Sequence, residues 1–339
     1  MELSEALQRI ERCMEPPLEW RTIRCIRENK TVMGGRGRLV PTLEGRRPIK
    51  EKEAPMIIDI HNHADYRGHN VDAVLRDMDE NGIAVTCLLS WECPPTDYDP
   101  ETKHAFSPFS ENPVPFERCV AYKEKAPERF LLGFCPDPRR PDAIGRMRAA
   151  LRLHELSVCG ELKLRMMYDN PDALRLYRFC GENGLPVLLH LDYELGAGGC
   201  PWPNWWYGGG IDALERVLAL CPETKFIGHA PGFWAHISND ELCRAEAYPK
   251  GPVLPGGKIE RLLGQYPNLY CDISANSGHN ALSRDRDFTR AFLQTWQDRV
   301  LYGRDSFDGV HRALLESLGL PGEVLGKIYE GNARRVLRM

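Results

Sequence analysis

The sequence predicts an α/β protein: a (β/α)8 TIM barrel with a short N-terminal arm and an extra C-terminal helix. Three observations predict it. From Met56 onward, eight short apolar or β-branched runs alternate with eight segments of helical periodicity, the pattern of βαβ units and a parallel sheet. Connections entering the runs are short, whereas several connections leaving them are long, as at the C-terminal face of a barrel. The length of 339 residues suits one α/β barrel of about 250 residues plus extensions, and eight strands exceed the five or six of a doubly wound sheet.

Residues 1–55 stand apart. They hold a short amphipathic segment (Leu3, Leu7, Ile10), the pair Pro16-Pro17 and the stretch Gly34-Gly35-Arg36-Gly37-Arg38. They are read as an arm, too short for a second domain, with arginines that could serve oligomerisation. The barrel is assigned to 56–339. Its strands are predicted at 56–60, 84–89, 130–135, 158–164, 187–191, 225–229, 269–274 and 299–303. Helices are predicted at about 70–81, 115–126, 139–154, 171–183, 211–220, 257–265, 285–297 and 307–318, with a last one over 322–337. Turn residues such as Asn183-Gly184 and Pro267-Asn268 close the short entering loops. The long leaving connections are 90–114, 192–210 and 230–256.

Composition excludes several classes. Lys plus Arg number 44 and Asp plus Glu 48, a net charge of -4, without the basic surplus of a nucleic-acid or acidic-membrane binder. No apolar run reaches the ~18 residues of a membrane span, and the charged start Met1-Glu2-Leu3-Ser4-Glu5 has no apolar signal core. The twelve cysteines contain no C-x-x-C and several lie in apolar runs, which predicts buried thiols and a cytoplasmic, reducing location.

The sharpest signal is His61-Asn62-His63, directly after Met56-Ile57-Ile58-Asp59-Ile60. Side chains two apart on a strand share a face, and paired neutral imidazoles are ligands for zinc and similar ions. Other strand ends add His190 after Val187-Leu188-Leu189, His229 after Phe226-Ile227-Gly228, and Asp305 after Val300-Leu301-Tyr302-Gly303-Arg304. Strand four reads Glu161-Leu162-Lys163-Leu164-Arg165. Any one of these histidines alone would be read as a satisfied core residue; the set of them at strand ends points to a site.

This ordered set resembles the amidohydrolase superfamily, and within it the amidohydrolase-related branch that holds hydrolases and zinc-dependent decarboxylases. The resemblance covers roughly residues 56–337 and includes the closing Asn332-Ala333-Arg334-Arg335-Val336-Leu337. It implies that His61, His63, His190 and Asp305 ligate a divalent metal, usually zinc. It implies that His229 is a ligand to a second metal or an unligated acid/base. In the binuclear part of the superfamily the strand-four lysine is carbamylated and bridges two metals. Lys163 could do so, with Glu161 as a neighbouring carboxylate, but the one-metal arrangement is preferred, with Lys163 an ammonium paired to Glu161 or to a substrate carboxylate.

Chemistry follows from charge. Zinc makes hydroxide available near neutral pH, Asp305 can carry the proton to a leaving group, and His229 can stabilise a developing oxyanion. The leading expectation is hydrolysis of an ester, lactone or amide of a small molecule. The alternative is a non-oxidative decarboxylase using the same residues, and a second alternative is a non-catalytic barrel that serves as a binding protein. Serine hydrolase, zincin, nucleotidase and dehydrogenase motifs are all missing.

Around the site, the loop holding Trp202 and Trp206 could form a stacking wall or simply anchor on neighbouring helices. His236 and His279 are candidate substrate contacts, as is Glu92 beyond strand two. Arg165, read as facing inward, and Arg67 could clamp an anionic group, the competing reading being structural ion pairs. His69, His104, His154 and His311 are discounted, as they fall in polar loops or predicted helices.

Overall fold

The computed structural model describes residues 56–97, 114–192 and 206–339. The arm over 1–55 and Trp202 lie outside the described residues. Eight strands form one sheet in sequence order: β1 (Ile57–Asn62), β2 (Ile83–Trp91), β3 (Phe130–Cys135), β4 (Leu156–Leu162), β5 (Val187–His190), β6 (Phe226–His229), β7 (Leu269–Asp272) and β8 (Val300–Leu301). Every adjacent pair is parallel. Between β8 and β1 the barrel is closed by Ile60 N–H donating to Tyr302 O at 3.0 Å and Asp305 N–H donating to His61 O at 2.8 Å.

Helices form where the periodicity predicts them, including Val71–Glu80, Phe116–Lys125, Pro171–Glu182 and Arg286–Thr295. Three of these four starts are capped by short polar side chains. Asn70 accepts from Ala73 N–H, Asn170 from Asp172 N–H ahead of Pro171, and Asp285 from Phe288 N–H. Two leaving connections hold helices that the sequence does not predict, Pro231–Trp234 after β6 and Ala275–Ser283 after β7. The first is four residues opening on Pro231-Gly232 and the second begins Ala275-Asn276-Ser277-Gly278, so propensity hides both.

Strand side chains alternate between two cores. Ile57, Leu88, Leu132, Val187, Phe226 and Leu269 pack outward against the helices. Ile58, Ile60, Cys87, Leu89, Val158, Leu188, Ile227, Tyr270 and Leu301 fill the barrel interior. At β3 the interior position is Gly133, where a Cβ would come within 2.6 Å of Leu89 and 2.9 Å of Val158. Ala333, Val336 and Leu337 of the last helical segment join the interior cluster from below. Asn332 ties that segment down, its amide donating to Val300 O and Gln297 O at 2.7 Å each. The described cysteines are free, and all but Cys243 are buried. No helix among the described residues is long and apolar enough to cross a membrane.

Candidate metal centre

The site forms where the strands end. His190, His229 and Asp272 continue the interior rows begun by Leu188, Ile227 and Tyr270, so simple alternation aims them into the mouth. His61 and Glu161 arrive differently. Strict alternation from Ile58–Ile60 and from Val158 would send both outward. The pairing of β1 with β2 slips between Asp59 and Asn62, and that of β4 with β5 slips between Cys159 and Leu162. Such irregularities re-aim a side chain, and both residues join the interior row.

The result is a ring of imidazoles around two carboxylates. His63 Nε2 lies 3.6 Å from Glu161 Oε2 and 3.5 Å from Asp305 Oδ1. His61 Nε2 is 3.9 Å from Glu161 Oε2. His229 Nε2 is 3.8 Å from Glu161 Oε1 and 4.0 Å from Asp305 Oδ2. His190 Nδ1 meets Glu161 Oε1 at 2.5 Å. Three overlapping groups, His61–His229–Asp305, His61–His63–Glu161 and Glu161–His190–His229, each bring donor atoms within 4.8 Å of one another, close enough to hold an ion.

The far side of each ring is held. His61 Nδ1 is 2.7 Å from Asp272 Oδ2, and His63 Nδ1 is 3.0 Å from Leu89 O. Each Nδ1–H donates there, which leaves Nε2 as the lone-pair nitrogen facing the site, the arrangement of metal-ligating histidines. His61 Nε2 is buried with no hydrogen-bond partner, while His190 Nε2 lies 3.6 Å from Asp192 Oδ2. An orphaned buried nitrogen of this kind is costly, and a divalent cation would satisfy it. The donor set therefore fits such an ion.

Charge supports the same conclusion. Burial works against a protonated His61, but Asp305 and Asp272 outweigh it and push its pKa up to about 10. Burial lowers His63, and burial together with His61 brings His229 down to about 4. Burial raises Asp305, while for Glu161 the neighbouring His190 and His61 overcome burial and hold the carboxyl well below its usual range. Asp305 and Asp272 thus draw a positive charge to His61, and a cation held at Nε2 would take the place of the proton there.

A family model described as Amidohydrolase (Amidohydro_2) matches residues 58–339. The chain belongs to this amidohydrolase family. No curated protein matches it. Among solved structures, a 2,6-dihydroxybenzoate decarboxylase from Rhizobium is 16% identical, with 83% of this chain and 98% of that chain covered and a TM-score of 0.52. A dihydroxybenzoic acid decarboxylase from a Polaromonas species, with bound manganese, is 16% identical over 83% and 96% of the two chains, at a TM-score of 0.53. A Pseudomonas putida protein provisionally assigned as a 2-pyrone-4,6-dicarboxylic acid hydrolase is 15% identical over 83% and 97%, at 0.54. At these identities the likeness is one of fold.

In this amidohydrolase the remaining candidates fall into place around the ring. From β4, the carboxylate among the imidazoles is Glu161, while Lys163 Nζ stands 5.2 Å from the centroid of the Tyr207 ring. Tyr207 in turn lies edge-on to His190 at 5.7 Å and donates its hydroxyl to Asp97 O. Trp206 is half-buried beside it, and Gly208 bonds Met166 and Tyr168 through the backbone, so this end of the loop is anchored. Arg67 is exposed, stacked on Tyr66 at 5.0 Å, whose ring neighbours His63.

Two readings need correction. Glu92 is not directed at substrate: Arg146 grips its carboxylate, with Nε at 2.9 and 3.1 Å from its two oxygens. Arg165, expected to face inward beside the ring, reaches the carbonyl of Thr96 with its guanidinium, because the chain leaves β4 before it. His279 sits on the unforeseen helix Ala275–Ser283, packed on His311 at 5.7 Å. His236 is buried in the turn Ala235–Ile237. Asp272 and Ser274 were missed, although a carboxylate at the end of the seventh strand carried the same signal as Asp305.

Gly303 explains the glycine before Asp305. A Cβ there would lie 2.5 Å from Asp272 Oδ1 and 3.2 Å from His61 Cβ, so only glycine lets the chain leaving β8 pass beside the ring.

Proposed function

We propose that this chain is a metal-dependent hydrolase that cleaves an ester, lactone or amide bond of a small molecule. The observation that carries the reading is the buried, unpartnered Nε2 of His61, converging with His63, Glu161 and Asp305. In this reading His61, His63, His190 and Asp305 hold one divalent cation, zinc by preference, and Glu161 adds negative charge. Such an ion, when bound, polarises a substrate oxygen and lowers the pKa of water. Asp305, beside that ion and 3.5 Å from His63 Nε2, is placed to take the water's proton. His229 Nε2 stands 4.0 Å from Asp305 Oδ2, placed to accept a proton at that atom and return it to the leaving group. The walls of the ring are buried, which keeps bulk water from the hydrogen bonds that orient it.

A second reading, non-oxidative decarboxylation, draws support from Lys163. Its ammonium is near enough to act on both His190 and Asp305, a position suited to a substrate carboxylate, and two of the fold neighbours are decarboxylases by name. Lys163 as a carbamylated bridge between two metals belongs to this same set of proposals. The buried free thiols support a reducing, cytoplasmic setting.

Metal analysis by mass spectrometry, with and without bicarbonate, is expected to find one divalent ion per chain and no bicarbonate dependence. His61→Ala and Asp305→Ala are each expected to bring turnover of an ester, lactone or amide panel to background. Label from H2 18O should enter the product. Release of CO2 without label would overturn hydrolysis in favour of decarboxylation.

A further inference from the structure

Asp272 Oδ2 is the meeting point of three donors. It lies 2.7 Å from His61 Nδ1, 3.2 Å from His229 Nδ1 and 2.7 Å from Ser274 Oγ. Ser274 Oγ bridges the same rings, 3.0 Å from His229 Nδ1 and 3.3 Å from His61 Nδ1. Oδ1 is engaged separately by Ser274 N–H at 2.9 Å. Asp272, Ser274 and both imidazoles are almost fully buried, so water does not substitute for any of these bonds.

We infer that Asp272 is a positioning residue that fixes the tautomers of His61 and His229 together through one carboxylate oxygen, with Ser274 as its second support. The inference rests on the proposed metal-dependent function for its catalytic meaning, but the geometry is independent of the substrate. An ionised carboxylate accepts and cannot donate. Both rings must therefore carry their proton on Nδ1, which presents a lone pair from each Nε2 to the site, one for a cation and one for a substrate proton. Because the two rings share Oδ2, they cannot be tuned separately. A cation held at His61 Nε2 would therefore be felt at His229 through the shared oxygen.

Asp272→Asn tests this. An amide fills the same space, but its NH2 facing either ring forces that ring to the opposite tautomer. The expected result is a loss of divalent-metal affinity of about 10- to 100-fold, the usual effect of removing an outer partner of a ligating histidine. It should come with a displaced basic or acidic limb in the pH profile of kcat. Ser274→Ala, which keeps the carboxylate, should retain metal binding within a few-fold of wild type and shift that limb. 15N-detected spectra of the wild-type imidazoles need no variant, and are expected to show protonated Nδ1 on both His61 and His229. An Nε2–H, Nδ1-unprotonated ring at either position would overturn the inference. So would an Asp272→Asn protein, folded by circular dichroism, with unchanged metal affinity and pH profile. If wild-type protein takes up no divalent metal, the proposed function fails, whereas the ring spectra still decide the tautomers.

Discussion

Arg304 has no contact with solvent, yet it carries a full charge between Asp59 and Asp77. Its Nε is 2.9 Å from Asp59 Oδ2 and its Nη2 is 2.8 Å from Asp77 Oδ2. Its backbone N–H donates to Asp59 Oδ1, and the same oxygen accepts from His61 N–H. One carboxylate therefore fastens the end of β1 to the end of β8, beside the residues proposed as ligands. The sequence showed neither partner, since Asp59 reads as a polar interruption of an apolar strand and Arg304 as the variable residue between Gly303 and Asp305. Arg304→Met would strand two buried carboxylates. Removing one member of a buried ion pair costs about 3–5 kcal/mol, so a loss of that size is expected in urea unfolding at neutral pH. Adding Asp59→Asn should recover part of it.

Between elements, Asp65 joins the loop after β1 to the helix Phe116–Lys125. Its carboxylate accepts from Arg118 Nε at 2.6 Å, from Arg118 Nη2 at 2.9 Å and from the Tyr122 hydroxyl at 2.8 Å. Burial opposes its charged form, but these donors win, and its pKa falls below the ordinary 3.8. A carboxyl lowered on folding stabilises above its unfolded pKa, and this support disappears as pH drops through the folded value. Asp65→Asn keeps a residue type that tolerates the left-handed backbone found here, φ 58°. Its unfolding free energy should lie about 1 kcal/mol below wild type at pH 7, given partial exposure, and the gap should close in acid. A gap independent of pH would show that charge is not what joins these elements. The strands and most helices were legible because their periods differ, 2 against 3.6. The helix Ala275–Ser283 was not, because its Asn-Ser-Gly start gives no apolar stripe and tertiary packing makes it.

At the scale of the whole molecule, the barrel is closed by long-range bonds rather than by a full ladder, since β8 is only two residues long. Asn332 matters here. It satisfies the carbonyls of Val300 and Gln297 with one buried amide, and so sets the last helical segment under the barrel interior. Asn332→Ala leaves two carbonyls without that donor, each worth roughly 1–3 kcal/mol when buried and unsatisfied. Thermal unfolding should shift down accordingly, with the strand-end cluster intact until the transition. An unchanged transition temperature would mean that apolar burial of Ala333, Val336 and Leu337 alone seats the segment.

The sequence by itself determined the barrel, the family and the strand-end residues His61, His63, His190, His229 and Asp305, because alternation and order along the chain are local properties. It also placed Glu161 beside Lys163 without deciding between them. Only the tertiary structure decided that Glu161 stands among the imidazoles, since the pairing slips in β1 and β4 reverse which side chains face inward. Only it could show Asp272 beneath two rings at once, because residues 211 and 43 positions apart in sequence meet there through the closure of the barrel. Register and closure arise from pairing between distant strands, and no local pattern encodes them.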